Sequence, residues 1–463
     1  MNESWTFCLV SLGCPKNLVD SEGMASLLQR AGYTATATPE EADLLIVNTC
    51  GFIAPAREES LAVLRELARA RQPGQRLIAA GCYSQRCPHE LAEAVPGIDG
   101  LIGTRRWMDI VTLVERLPPP MGEGRRDQEP VYHFPETPIV GQDAPGVPRV
   151  AVQGGSAYLK LADGCRRSCA FCAIPLIKGT AVSRPPEAIL SDAAWLAERG
   201  VREIILIAQD TTDYGHDLEI FSPFPRREGG RGVRSQEGLA ELLERLVVEV
   251  PQVEWVRLMY AHPGRITERL VETMARHPQV LPYLDVPLQH AHPRVLRRMR
   301  RPADVEGVRR TVERLRTAMP EIAIRTTFLV GYPGESEVEF QALLDFVAEM
   351  EFDRVGVFAY SHEEGTPAAT LKDDVPPEVK EERRERLMEV QQHISLAKNQ
   401  ALVGRTLDVL VEGQGDGLSV GRSYRDAPEI DGLVLVQAEL PVGEISPVRI
   451  TTALEYDLVA EPA

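Results

Sequence analysis

The sequence of 463 residues holds no apolar run approaching the roughly 18 residues of a membrane span, so no spanning helix is predicted. Its opening, MNESWTFCLVSLGC, has no basic stretch leading into an apolar one. No secretory leader is read there, and a cytoplasmic location is expected. Positive charge is also short. The balance is −17, whereas nucleic-acid binders need Lys and Arg to meet phosphates. Nucleic acid is therefore not expected as the primary partner; an acidic surface suits a small-molecule substrate or a basic protein better. Cysteine is scarce, eight residues in all, and a cytosolic chain of this length has no need of disulfides. Metal ligation, catalysis or a place in the core remain for those thiols. The 44% hydrophobic and 26% charged residues are those of a globular chain, long enough for about two to four domains.

Residues 5–104 alternate between two patterns. WTFCLVS, ADLLIVNTC, RLIAAGC and GLIGT read as strands. NLVDSEGMASLLQRAG, AREESLAVLRELARAR and QRCPHELAEAV read as helices, the first with Leu18, Met24, Leu27 and Leu28 at helical spacing. The alternation predicts a parallel α/β sheet. The Pro- and Gly-rich stretch that begins LPPPMGEG reads as a linker or a long covering segment. From residue 156 a second series supplies six strands: AYLKLADG, REIILIAQD, EWVRLMYA, YLDVPLQH, IAIRTTFLVG and RVGVFAYS. Helical stretches separate them, which predicts a partial (βα)6 barrel, two units short of the eight-fold form. EIFSPFPRREGGRGVRSQEG, 219–238, interrupts the second unit and reads as a mobile loop. A charged amphipathic helix is expected over 379–404. RTLDVLVEG, LSVGRSY, LVLVQAEL and PVRITTALEYDLVA then predict a small antiparallel β-barrel. The expected division is a cluster domain over 5–117, a linker over 118–155, the partial barrel over 156–398 and the small barrel over 401–463.

GCRRSCAFCAIP sets Cys165, Cys169 and Cys172 in the spacing C-x3-C-x2-C, on the loop after the first barrel strand. Three thiolates so close can hold three corners of an iron–sulfur cubane and leave one iron open. Zinc would want a fourth ligand nearby, and none follows. Loops after barrel strands form the active face. In the N-terminal sheet, Cys14 follows the first strand, Cys50 ends the second and Cys82 ends the third. Parallel strands bring those ends to one edge, where open α/β sheets bind ligands. A second three-thiolate cluster is expected there, with Gly13, Gly51 and Gly81 allowing the backbones to approach. Each of these cysteines alone would read as a buried thiol; three at equivalent strand ends do not. Cys8 is expected in the core and Cys87, next to Pro88, as a bystander. Asn17 is expected to cap the helix that follows.

C-x3-C-x-(aromatic)-C after the first strand of a six-unit barrel resembles the radical S-adenosylmethionine superfamily. The resemblance implies that the open iron binds the amino and carboxylate groups of S-adenosylmethionine, which one electron then cleaves to a 5′-deoxyadenosyl radical. It implies cofactor-binding roles for Phe171 and for Gly331, Gly334 and Glu335 of RTTFLVGYPGES. At strand ends on the active face lie Gln209, a further cofactor candidate, and Asp210, Asp285 and Gln289, the candidate catalytic residues, with His290 beside them. Strand-end capping or loop hydrogen bonds are the plainer reading of these polar groups.

The whole chain is similar to the methylthiotransferases, radical enzymes with two 4Fe-4S clusters and a C-terminal TRAM domain. That implies an auxiliary cluster on Cys14, Cys50 and Cys82 that carries sulfur, and a flavodoxin-type electron donor. SLGCPKNLVDSE, VNTCGFI, YLDVPLQH and RSYRDAPEIDG resemble the RimO branch. That branch replaces a β-carbon hydrogen of an aspartate on small-subunit ribosomal protein S-twelve with a methylthio group. The sister MiaB branch modifies an adenosine in tRNA, and its first motif typically reads Tyr-Gly-Cys-Gln. Here Leu12-Gly13-Cys14-Pro15 differs, and Pro15-Lys16-Asn17 speaks for a protein substrate. Charge agrees: 401–463 hold Arg405, Arg422, Arg425 and Arg449 against eleven Asp and Glu, a balance of −7. Such a barrel repels RNA and attracts a basic protein. The Arg-rich PRVLRRMRRPADVEGVRR points the other way and is read as the solvated face of barrel helices, or as a contact to ribosomal RNA. The rival readings are the tRNA enzyme and a non-catalytic redox-sensing module.

Overall fold

The computed structural model describes residues 5–118, 129–137, 141–218 and 237–463. Its first sheet is built from β1 (Thr6–Ser11), β2 (Thr34–Ala35), β3 (Leu44–Thr49), β4 (Arg76–Ala80), β5 (Gly100–Gly103) and β6 (Val131–His133), in the order β2-β1-β3-β4-β5-β6. All its pairings are parallel. β3 is buried at every position, as a strand covered on both faces must be. One face packs on Met24, Leu28, Trp107 and Leu113; the other packs on Leu64, Tyr83, Leu91 and Val95. Four strands were expected. The extra β2 is an edge piece of two residues, too short for any period, and β6 comes from the stretch read as a linker. That stretch also supplies β7 (Val150–Gln153), so it builds both neighbouring sheets rather than only joining them.

The second sheet contains β8 (Ser156–Lys160), β11 (Glu203–Ile207), β12 (Trp255–Leu258), β13 (Val280–Asp285), β14 (Ala323–Val330) and β15 (Arg354–Ala359) as six parallel strands, with β7 antiparallel on the edge. A two-stranded piece, β9 (Ala162–Asp163) and β10 (Val182–Ser183), flanks the cysteine loop between them. These are the six predicted βα units. Of the 219–238 insertion, residues 219–236 lie outside the described residues, and Gly238 opens the helix Gly238–Glu249. Among the described residues no helix is long and apolar enough to cross a membrane.

The helix Pro377–Gln400 leads into a closed barrel of β16 (Thr406–Gly415), β17 (Leu418–Ser423), β18 (Val434–Val436), β19 (Ile445–Ala453) and β20 (Leu458–Pro462), ordered β16-β17-β18-β20-β19. The expectation of an antiparallel barrel needs one correction: β18 and β20 pair in parallel. The last predicted strand breaks into β19 and β20 at a turn that Leu454 N–H closes on Asp457 O at 2.9 Å.

The three units meet inside the partial barrel. Val19 from the first helix and Leu410 and Ala427 from the small barrel share one apolar cluster with Ile205, Met259 and Tyr283 of the strands and strand ends. Buried ion pairs surround this cluster. Glu203 on β11 accepts from Arg257 on β12 and Arg422 on β17, each at 2.6 Å, with all three side chains at most 1% exposed. Arg354 pairs with Asp426 at 2.6 Å and Arg425 with Asp353 at 2.9 Å. Burial would raise the Glu203 carboxyl, but the two guanidinium groups hold it down to about 2.

Glu203→Gln leaves two arginines facing an uncharged amide. A loss of about 3 kcal/mol in unfolding free energy is expected at neutral pH. Since the folded carboxyl titrates below its unfolded value near 4.5, its contribution is full above pH 4.5 and fades as pH falls toward 2. Urea midpoints of the two proteins should therefore converge on acidification; a gap that persists unchanged at pH 3 would contradict the assignment.

Candidate active site

β1, β3 and β4 end side by side, and the chain turns at each end into Cys14, Cys50 and Cys82. The turns interlock. Gly13 has φ +87°, and a Cβ placed there would lie 2.7 Å from Cys50 Cβ and 2.9 Å from Cys50 Sγ. Gly81 has φ +96°, and its Cβ would lie 2.2 Å from Asn48 Oδ1 and 2.7 Å from Thr49 O. Side chains at either position would push the cysteine loops apart. Asn17 does not cap the helix Pro15–Arg30, whose N-cap is Cys14. From the helix's first turn its amide donates to Leu12 O and Thr49 O, both at 3.0 Å, and its Oδ1 accepts from Cys82 Sγ at 3.4 Å. It therefore ties all three turns together. Burial pushes the Cys50 thiol up to about 11 and the Cys82 thiol up to about 12, while Cys14 is exposed. Cys8 lies in the core on β1 and Cys87 at the joint of two short helices.

The second thiol set lies on the loop after β8 and β9. Arg167 N–H donates to Cys165 Sγ at 3.4 Å, and Cys172 N–H donates to Cys169 O at 3.2 Å. Ala170 N–H donates to Met299 O and its carbonyl accepts from Ala368 N–H, both at 2.8 Å. Arg301 approaches Cys169 Sγ at 3.8 Å. Burial pushes Cys165 up to about 11 and Cys172 up to about 12.

These donor sets fit iron–sulfur clusters. Each offers three soft sulfur ligands and, among the described residues, no fourth, and metal binding would take the protons that burial favours on Cys50, Cys82, Cys165 and Cys172. Among the described residues no group of three or more His, Cys, Asp or Glu is placed to hold a single metal ion. The two sets also adjoin. Cys82 packs with Ala173 and Ile177, the first of which follows Cys172 directly.

Asp20, one turn after Lys16, locks that junction. Its Oδ1 meets Lys160 Nζ at 2.6 Å and Arg149 Nη2 at 3.1 Å, and its Oδ2 meets Lys178 Nζ at 2.9 Å. Asp163 shares Lys160 at 2.7 Å and Arg149 at 2.8 Å. On the other side Glu363, beyond β15, binds Arg57 and, at 2.7 Å, Arg86, and accepts from Ala54 N–H at 2.9 Å.

The polar candidates divide. Asp210 accepts from Arg167 Nε at 2.8 Å and Thr212 Oγ1 at 2.6 Å, so it fixes the cysteine loop. Asp285 is fully buried; it accepts from Tyr260 N–H and Arg325 Nη1, both at 3.1 Å, and supports Tyr260 at φ +62°. Gln289, at φ +77°, exchanges backbone hydrogen bonds of 2.8 Å with Thr327 and Leu329. Gln209 presents a buried Oε1 with no hydrogen-bond partner among the described residues. Phe171 packs beside Ala170, Met299 and Tyr332. Gly331 lets the turn pass Lys380, whose Cγ would lie 2.3 Å from a Cβ there. Gly334 N–H is spent on Asp374 at 2.7 Å. Glu335 is turned inward, to Arg383 Nη1 at 2.9 Å and to the buried His290 at 3.5 Å. The structure thus sets the two thiol sets against each other at Cys82 and Ala173, ties Asp210 to the cysteine loop and Asp285 to the Tyr260 turn, and turns Glu335 into an ion pair with Arg383.

Sequence reasoning missed Lys16, Asp20, Lys178, Tyr260 and Arg325 as members of this junction. Lys16 and Asp20 had a signal: two charges four residues apart on a helix whose neighbours Val19, Met24 and Leu28 face the core. The left-handed backbone of Tyr260 had none.

Comparison with known proteins agrees with this layout. Residues 6–103 match a family described as Uncharacterized protein family UPF0004, residues 159–347 the Radical SAM superfamily, and residues 403–462 the TRAM domain. A protein of Chloroflexus aurantiacus named ribosomal protein uS12 methylthiotransferase RimO is 51% identical over 98% of this chain and 98% of its own length. A protein of the same name from Roseiflexus castenholzii is 48% identical over 97% of this chain and 94% of its own. Among solved structures, the radical S-adenosylmethionine methyltransferase TsrM from Kitasatospora setae shares the fold. Its TM-score is 0.54 at 15% identity, over 90% of this chain and 80% of that one.

Gly13→Ala and Gly81→Ala are each expected to lower the iron retained after anaerobic reconstitution by up to about half. Gly417→Ala, at φ +78° with open space around it, is expected to retain it. Iron and sulfide assays check this, and equal iron in all three variants would sever thiol spacing from these glycines.

Proposed function

The chain belongs to the ribosomal protein uS12 methylthiotransferase RimO family, and from that membership we propose that it adds a methylthio group to the β-carbon of an aspartate in uS12, the small-subunit protein S-twelve. The observation that carries this reading is the meeting of two three-thiol sets at one junction, with Cys82 packed on the residue after Cys172. Cys165, Cys169 and Cys172 would hold one 4Fe-4S cluster, with S-adenosylmethionine at its open iron. Cys14, Cys50 and Cys82 would hold the second, sulfur-carrying one. When bound, these groups supply a carbon radical and a sulfur source, which suits a C–H bond with no acidic proton for a side-chain base to take.

The chain's own residues bind, orient and enclose. Asp210 steadies the cysteine loop through Arg167. Asp285 has both oxygens engaged and holds the Tyr260 turn, a positioning role. Gln209, whose buried Oε1 has no hydrogen-bond partner among the described residues, would offer that acceptor to bound S-adenosylmethionine, and Phe171 an apolar face. The electron would come from an outside carrier of flavodoxin type, and a ribosomal substrate places the reaction in the cytoplasm.

The charge left exposed on the small barrel favours a basic protein over RNA, as its composition does. Arg422 and Arg425 are buried in ion pairs with the partial barrel. Arg405 and Arg449 are left exposed against eight exposed acids: Asp408, Glu412, Asp416, Glu429, Glu439, Glu444, Glu455 and Glu461. A phosphate backbone would meet repulsion there, and a cationic ribosomal protein would be drawn in.

Anaerobically reconstituted protein is expected to carry about eight irons per chain. Replacing Cys14, Cys50 and Cys82 by alanine should halve that figure and leave cleavage of S-adenosylmethionine intact. With purified uS12, S-adenosylmethionine and a reductant, mass spectrometry should find the methylthio shift on one aspartate. A modified tRNA base with unmodified uS12 would replace this reading with that of the sister branch.

A further inference from the structure

Lys16 stands two residues after Cys14 in the first turn of the helix Pro15–Arg30 and is 6% exposed. Its ammonium lies 2.9 Å above the centre of the Tyr260 ring. Among the described residues it pairs with no carboxylate and no hydrogen-bond acceptor. The other buried cations of this junction are all paired: Lys160 and Arg149 each reach both Asp20 and Asp163, and Lys178 reaches Asp20 at 2.9 Å. A buried cation without an anion is costly, and a ring face offsets only part of that cost. The acid beside it, Asp285, is already spent on Tyr260 N–H and Arg325. Lys16 therefore stands two residues from Cys14 against the Tyr260 ring, with no carboxylate in ion-pair reach among the described residues.

We propose that Lys16 receives the carboxylate of the substrate aspartate and is the residue that selects it. The inference rests on the function proposed above. The β-carbon that reacts is bonded directly to that carboxylate carbon, so holding the carboxylate places the reacting carbon within one bond of a fixed point. That point lies two residues from Cys14. An asparagine in the substrate offers no charge to the ammonium, and a glutamate moves the β-carbon one bond away. Tyr260, held in its left-handed turn by Asp285, backs the ammonium and keeps it aimed. S-adenosylmethionine also carries a carboxylate, so the test separates the two sources.

Fluorescent peptides of uS12 spanning the modified residue, one with the aspartate and one with asparagine in its place, are titrated by anisotropy into reconstituted wild type, Lys16→Met and Lys16→Arg. Wild type should bind the aspartate peptide about tenfold tighter. Lys16→Met should bind both alike, with iron content and S-adenosylmethionine affinity equal to wild type, and Lys16→Arg should keep most of the preference. Preference retained in Lys16→Met overturns the proposal. So does weakened S-adenosylmethionine binding with the peptide preference intact, which would give the lysine to the cofactor. Loss of about half the iron with that preference intact would give it to the cluster on Cys14. If wild type binds neither peptide and methylthiolates tRNA, the proposed function itself fails, and the lysine assignment fails with it.

Discussion

The ion network centred on Asp20 is the constraint that the rest of the junction depends on. Asp20 sits on the helix that begins at Cys14, Lys160 on the strand that feeds Cys165, and Lys178 at the end of the short helix that follows Cys172. One carboxylate therefore fixes both thiol-bearing segments against each other. Burial would raise Asp20, but Lys160 and Lys178 hold it below the ordinary range, so it stays charged. Such pairs add little net stability, because desolvation cancels most of the attraction, yet removing one member costs about 3–5 kcal/mol. Their value here is geometric: a slip of the first domain over the barrel would leave several charges unpaired at once. Glu363 repeats the device on the far side with Arg57 and Arg86, so the first domain is held at two separated points.

Within that frame the site needs little besides close approach. Strand ends on one edge bring Cys14, Cys50 and Cys82 near, and glycine at 13 and 81 removes the side chains that would hold the loops apart. Asn17 then satisfies carbonyls of two turns with one amide. The barrel thiols are held differently, by backbone hydrogen bonds to Met299 and Ala368 and by arginines anchored on Asp210 and Asp213. Burial raises the Cys165 and Cys172 thiols among them, and a metal that bound there would have to displace their protons.

Much of this was legible in sequence because it rests on short-range pattern. Strand and helix alternation, the C-x3-C-x2-C spacing and the recurrence of Gly-Cys or Cys-Gly at strand ends all survive in one dimension. The strands β2 and β6 did not, since two or three residues carry no period and proline-rich surroundings mask them. The partners of Asp210, Asp285 and Glu335 were not legible either. A carboxylate at a strand end looks the same whether it faces a ligand or an arginine 48 residues later, as Glu335 does with Arg383. Nor could composition tell that Arg422 and Arg425 in RSYRDAPEIDG are internal joints. The exposed balance stays acidic all the same, because Asp426 and Asp431 are withdrawn from solvent with them.

Lys16 and Asp20 make the distinction sharpest. They lie one turn apart on the same helix, both charged and both nearly sealed from solvent. By burial alone they are equivalent. By partners they are opposites: Asp20 meets three cations at 3.1 Å or less, whereas Lys16 meets an aromatic face. Natural folds satisfy the buried charges they need for structure, because leaving one open costs too much. Lys16 has no carboxylate partner among the described residues, and on the proposal above the substrate's carboxylate completes it. The same helix thus carries the charge that fixes where the two thiol sets stand and, one turn earlier, the charge suited to fixing what enters between them.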